Sequence, residues 1–536
     1  MHTGTKRVSE LLEVPISDRS FGALAKDPDL RQVFGGILSA KIQSLDRDLL
    51  LLKAYTNVLP AINRLPDELL VNCLWFASRE SSQSLIAASH VCRHWRSVAI
   101  DNARLWTRVE LVGCDDSRRT SSFEQALVFV RRSKGAILDI EISGSWGEQL
   151  RSLLSLLKRN MHRVRSLTCC LRGFPEMVRV ISDFKTLKAP ELEVLSLHST
   201  AKHLNVGQLL TKERTPSLRS LTLVRVCHDW SQCINLTHLS ITDHDPRGKK
   251  WNLHQFFNVL AQCPQLRTLA VLSGVIPDDA PLPKQTIILP DLLEVRLEEL
   301  SMTAIQSFLT HTRLPPTARL VLSPDPVSSP EYEMLNFMDV AGFARVQAIH
   351  YFEELHLEFD EDEEEIEESN GVVTIHAHLS DEPLQEPELT LKLVTDDLSS
   401  AMILRDLNLY FQLSDVKTFT VSSNFYTGAN NLMEGFFAPL HHMPRLRTLR
   451  LDVDRDLLQQ VFMDVLRPCQ ELRSLDVMIG YFDETLRSQL LQFVRARKEI
   501  TPLEEIELSV VRGWEEGSEE ELALRSLCDK VYINDE

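Results

Sequence analysis

The feature that most constrains this chain is a phrase that recurs along it. Fragments 189–197 (APELEVLSL), 215–223 (TPSLRSLTL), 263–271 (CPQLRTLAV), 289–297 (LPDLLEVRL), 443–451 (MPRLRTLRL) and 469–477 (CQELRSLDV) share an L-x-x-L-x-L core, and five of the six carry a proline two places before it. The bare pattern would arise by chance in a chain that is 43% hydrophobic. The repeated proline makes chance a poor explanation. Weaker copies stand at Ile137, Val164, Leu236, Phe352, Val416 and Leu503. Each copy supplies a short strand whose leucines point to one side, followed by an amphipathic segment that returns the chain to the next strand. Residues 252–263 (NLHQFFNVLAQC) read as one such helix, with Phe256, Val259 and Leu260 inward. A single unit of this kind cannot bury its apolar face, so the units must stack.

Several neighbouring copies lie 26 to 30 residues apart, the spacing of leucine-rich repeats. At 536 residues the chain is also too long for one ordinary core, and an elongated repeat resolves that difficulty. The prolines mark where each helix has ended and the chain turns into the next strand. The expected fold class is therefore α/β, an irregular leucine-rich-repeat-like solenoid over residues 110–536. Irregularity is expected because the asparagine that bends regular repeats is mostly absent and because the period fails between about 310 and 400, where turn-rich LPPTARLVLSPDPVSSP is followed by an acidic run.

Ahead of the repeats the pattern is helical. Residues 1–36 read as a tail, partly disordered. In 37–60, Leu38, Ile42, Leu45, Leu49, Leu52, Thr56 and Leu59 make a heptad seam of about three repeats, enough for one helix packed on a neighbour but marginal for a free coiled coil; packing within the chain is the expectation, and self-association through 38–59 the alternative. A helical module follows over 61–109. Pro66 suits the first turn of its first helix, Asp67 and Glu68 complement the positive end, and Leu69, Leu70, Cys73, Leu74 and Ala77 form the apolar face. Leu65 occupies a place where a polar cap is the rule, which implies that it fills a pocket. In SHVCRHWRSVAI (89–100), Ala88, Val91, Cys92, Trp95, Val98 and Ala99 follow helical spacing, with Arg93 and Arg96 on the solvent side. Three helices in so short a stretch bury their own apolar surface poorly, so a partner would complete the core.

These residues resemble a known family. LPDELL, then VCRHWRSVA, then Leu105 and Trp106, are similar in order, spacing and type to the F-box signature, and the layout with repeats following is similar to a large group of fungal F-box proteins. The resemblance implies an adaptor that docks on the Skp-type subunit of a cullin-RING (SCF) ubiquitin ligase, and through it on the cullin, while the repeats hold a protein substrate. It places Leu65, Pro66, Leu69 and Leu70 in the segment used for the Skp subunit, with Val91, Cys92 and Trp95 in a second patch. A repeat scaffold without a ligase, its F-box-like segment serving only as an internal cap, is the competing reading. A GTPase-activating repeat protein is a more distant one, suggested only by repeats plus an acidic run.

The chemistry of an enzyme is missing. There is no G-x-x-x-x-G-K-[ST] phosphate loop and no G-x-S-x-G nucleophile elbow. The ten cysteines include no C-x-x-C pair, so neither a zinc module nor a disulfide framework is signalled. His90 and His94 share a helical face, but Val91 stands where a zinc helix needs its glutamate, and His376 and His378 alternate on a strand with no third ligand. No cofactor or metal is expected. The first twenty residues lack a signal peptide's apolar run, and nothing later reaches the roughly 18 apolar residues of a membrane span, so an intracellular protein without membrane insertion is expected. A net charge of −18 argues against nucleic acid. Nine of the acids sit in 358–368 (EFDEDEEEIEE), within a stretch, 358–371, that reads as a solvated loop.

Between the inward leucines, side chains should alternate outward on one continuous surface: Thr268 and Ala270, Glu294 and Arg296, Thr448 and Arg450, Ser474 and Asp476, Glu505 and Glu507. The expected substrate contacts are Arg296, Arg450, Asp476 and Glu505. Early repeats offer neutral residues on this face and later ones charges.

Overall fold

The computed structural model describes residues 28–57, 59–113, 116–200, 204–205, 210–227, 233–242, 253–272, 286–315, 317–325, 352–361, 371–379, 387, 389–395, 403–405, 407–408, 411–423, 429–464, 466, 468–510 and 517–535. The chain divides into two compact units, one of residues 1–110 with 122–139 and the other of 111–121 with 140–536.

The first unit is helical. Helix α1 (Pro28–Thr56) is followed by α2 (Asp67–Glu80), α3 (Ser82–Ser89) and α4 (Arg93–Asp101). α1 begins inside the segment read as a tail, because Pro28 starts it and Asp29 favours its first turn despite the helix-weakening pair Gly35 and Gly36. None of its described side chains is buried, so the seam that was expected to pack on a neighbour is uncovered. α2 opens one residue later than its sequence suggests. Pro66 is the cap rather than the first helical residue, with its ring holding φ at −53° while its carbonyl accepts from both Leu69 and Leu70 at 3.0 Å. The stretch 89–100 is not one helix. The chain breaks over 90–92, and Cys92 caps α4 by accepting from the Trp95 amide at 3.5 Å. A thiol is a weak acceptor and a rare cap, which is why the break was illegible in sequence.

Leu70, Val71, Leu74, Leu85, Val98, Ala99, Leu105 and Trp106 form the buried centre of this unit. Trp106 closes it: its indole donates to the Ala99 carbonyl at 2.7 Å, the Phe129 ring meets it edge-on at 4.9 Å, and the Arg132 guanidinium lies 4.3 Å over it.

The second unit is a solenoid on one continuous sheet. Its strands are β1 (Arg108–Gly113), β2 (Leu138–Gly144), β3 (Val164–Leu171), β4 (Val194–Ser199), β5 (Ser220–Val224), β6 (His238–Thr242), β7 (Thr268–Leu272), β8 (Glu294–Leu300), β9 (Arg319–Pro324), β10 (Glu354–Glu361), β11 (Gly371–His378), β12 (Leu389–Thr395), β13 (Thr418–Ser423), β14 (Thr448–Asp452), β15 (Ser474–Ile479), β16 (Glu505–Val510) and β17 (Lys530–Asp535). All six clear phrases and all six weaker copies lead into one of these strands. Return helices include α5 (Leu150–Asn160), α6 (Phe174–Phe184), α7 (Leu253–Gln262), α8 (Met302–His311), α9 (Ala429–Leu440), α10 (Arg455–Asp464), α11 (Glu484–Arg497) and α12 (Glu519–Leu527). Phe256, Val259 and Leu260 are buried, as their helical spacing required.

The prolines have a sharper role than ending helices. In each clear phrase the residue three before the first leucine accepts from that leucine's amide, as in Ala189 to Leu192 at 3.3 Å, Cys263 to Leu266 at 3.1 Å and Met443 to Leu446 at 3.2 Å. Proline is the second residue of that turn, the place where its fixed φ is already correct. The asparagines of regular repeats are replaced piecemeal. The Cys263 thiol points to the Cys233 carbonyl at 3.6 Å, the Cys469 thiol to that of Leu440 at 3.8 Å, and wholly buried Arg497 donates to the carbonyls of Leu466, Cys469 and Leu472 at 3.0–3.2 Å.

Where the period fails, the sheet does not. β9 pairs parallel with β12, β12 antiparallel with β11, β11 antiparallel with β10, and β10 parallel with β13. Three strands thus enter in reverse order as a meander, and the sheet continues through them. The acidic run accordingly starts in β10, with Phe359 buried, and 371 opens β11, so its ends are strand rather than loop. Residues 362–370 lie outside the described residues.

Candidate protein-docking surfaces

The first surface belongs to the helical unit. α2 carries two apolar faces. Leu70, Val71 and Leu74 are buried, whereas Leu69 is 50% and Phe76 64% exposed, with exposed Cys73 between them at helical spacing. Val91, in the break between α3 and α4, is 55% exposed. Leu65 is half-buried, Pro66 exposed, and Cys92 and Trp95 half-buried. Leu70, which the resemblance assigns to the docking face, is instead wholly buried because it faces the same side of α2 as Leu74. Sequence reading missed Phe76, whose place seven residues after Leu69 was the available signal.

Polar contacts fix this region. The Trp95 indole donates to Asn63 Oδ1 at 2.5 Å, and Asn63 in turn donates to the Asn57 carbonyl. His94 sits 3.5 Å from Asp67, and His90 lies 3.1 Å from Arg96, so the two histidines face different partners. An open pocket of 490 Å³ is lined by Leu50, Lys53, Asn57, Asn63, Cys92, Arg93 and His94.

The second surface is the outward face of the sheet. Strand pairing aligns one row of side chains across the repeats, beginning Thr168, Ser196, Thr222, Ser240, Ala270, Arg296. It continues through the meander as Val321, Thr390, His376 and His356, and beyond it as Thr420, Arg450, Asp476, Glu507, Tyr532. The change from neutral to charged residues is therefore laid out in space as well as in sequence. Arg450 and Asp476 come together at 3.8 Å, and Arg450 also bonds Glu354 at 3.2 Å. Glu505 lies in the adjacent row, opposite Lys530 and Ser474. Arg296 is not part of this group. It stands six strand steps from Arg450 and bonds Glu294 and Glu298 of its own strand, both at 3.6 Å.

Burial, with Glu507 beside it, raises the Asp476 carboxyl above the ordinary range against the pull of Arg450. His356, which sequence reading did not single out, is pushed down to about 4 by burial and then by His376, His378 and Arg450. Its ring lies 5.7 Å from that of His376 and within hydrogen-bond distance of Ser422 Oγ at 3.0 Å. Among the described residues no group of three His, Cys, Asp or Glu side chains could hold a metal ion, and no helix is long and apolar enough to cross a membrane.

Comparison with known proteins bears on the first surface. Residues 62–111 match the family model described as F-box-like. No curated protein sequence matches the chain. Among solved structures, a crystal structure of an internalin from Listeria monocytogenes aligns at 11% identity over 73% of this chain and 94% of that one, with a TM-score of 0.23. The assignment of a repeat solenoid stands on the register and turns described above; the family match shows that residues 62–111 are similar to the F-box-like family.

Proposed function

We propose that this chain is a substrate-recognition adaptor of an SCF-type ubiquitin ligase, with the helical unit docking on the Skp-type subunit and the sheet face holding a protein substrate. The observation that carries this reading is the exposed stripe of Leu69, Cys73 and Phe76, together with exposed Val91, inside the segment that matches the F-box-like family. A folded helical unit that already buries Leu70 and Leu74 has no internal use for a second apolar face. No reacting group is required of the chain. Its contribution would be to hold a substrate near a conjugating enzyme, which raises effective concentration.

Co-purification with a Skp-type adaptor tests this. Wild type should form a stoichiometric complex. Leu69→Glu combined with Phe76→Glu should weaken it by at least about 100-fold, since truncating two central apolar anchors costs several kcal/mol. Both side chains are exposed, so the circular dichroism should be unchanged. Indifference of the wild type to the adaptor would leave the scaffold reading in its place.

A further inference from the structure

Helix α1 spans 29 residues and buries none of its described side chains, although Ile42 is 57%, Leu49 49% and Leu52 65% exposed on one face. We infer that this face pairs with the same face of a second copy, as a short parallel two-stranded coiled coil centred on residues 38–56. The seam places Ile42, Leu49 and Thr56 at one core position of the heptad and Leu38, Leu45 and Leu52 at the other. Two of the three first positions, Ile42 and Thr56, are β-branched and all three second positions are leucine, a pattern that leans towards two strands.

Charge selects the orientation. In a parallel pair, the residue before each first-core position faces, on the other helix, the residue five places further along the sequence. Lys41 then meets Asp46 of the second copy and Asp48 meets its Lys53, so both contacts join opposite charges and each occurs twice by symmetry. An antiparallel pair that matches the same apolar layers sets Asp46 against Asp46 and Asp48 against Asp48. Of the two arrangements that overlap the whole seam from 38 to 56, only the parallel one also joins opposite charges; antiparallel pairs shifted by a heptad match fewer apolar layers. The pairing depends on α1 alone and not on the adaptor reading, so the two can fail separately.

The experiment uses the full chain. Sedimentation or light scattering should give twice the chain mass for wild type and the single-chain mass for Leu45→Asp, which removes nothing buried in the isolated chain and should leave the circular dichroism intact. Asp46→Lys should weaken the dimer, and Lys41→Glu added to Asp46→Lys should restore it, because the opposite charges are re-established with signs exchanged. Ile42→Cys should form a disulfide between copies under mild oxidation that wild type does not form. In an antiparallel pair the two residues 42 would lie roughly 15 Å apart at 1.5 Å per residue. A monomeric wild type overturns the pairing; a dimer that Leu45→Asp leaves intact overturns the interface; a dimer without the residue 42 cross-link or the charge-swap rescue overturns the parallel register.

Discussion

At the scale of single residues, the least ordinary group on the sheet face is His356. Its folded pKa of about 4 lies below the ordinary histidine value of 6.5, so the fold accommodates the neutral ring. Between those values the unfolded chain binds more protons than the folded one. The stabilisation is therefore complete above about pH 6.5 and is lost as pH falls through about 4. His376, also lowered by burial, adds to the same window, whereas the raised carboxyls of Asp452 and Asp476 oppose it at its lower end. Urea midpoints should fall between pH 7 and about 4.5, and His356→Gln should flatten that decline. An unchanged slope in the variant would show that other groups carry the acid sensitivity. Arg497 shows how a single residue stands in for a repeat motif: its guanidinium reaches three carbonyls that a ladder of asparagines would otherwise bind. Nothing in the residues around position 497 announces this, because its partners lie 25 to 31 residues earlier.

At the scale of elements, the turn ahead of each strand was written locally and so could be read. A proline two places before the leucine is a statement about φ, and it holds in whatever repeat it occurs. Pro444→Ala should destabilise by about 0.4–1 kcal/mol, mainly by freeing the unfolded chain, with the folded spectrum unchanged. A loss of several kcal/mol in chemical denaturation would instead point to distortion of the β13–β14 connection. α2 was read well as an element but poorly as a surface. Its helical period is plain, but a period names an apolar side without saying how wide that side is. Leu69 and Leu70 are neighbours in sequence and part company in space, one exposed and one buried. The break at 90–92 escaped notice because Cys92 caps through sulfur.

At the scale of the whole molecule, the reversed meander decides whether the sheet is continuous. Ile375 is wholly buried in β11, paired with Leu357 on one side and Leu391 on the other. Ile375→Asp would bury an unpaired carboxylate at a cost of several kcal/mol. Because repeats hold only their neighbours, amide exchange should quicken in β9 to β13 well before β15 and β16. Uniform loss of protection would mean that the solenoid unfolds as one cooperative body.

The sequence by itself determined the repeating unit, the helical lead, the F-box-like segment and the outward charges, because each depends on residues within a few turns of one another. Tertiary structure alone decided the order of strands in the meander, the replacement of asparagine by Cys263, Cys469 and Arg497, the second apolar face of α2 and the bare seam of α1. The physical reason is common to all four. Burial and pairing are relations between residues distant in the chain, and an apolar pattern says that a side chain needs cover without saying which element provides it.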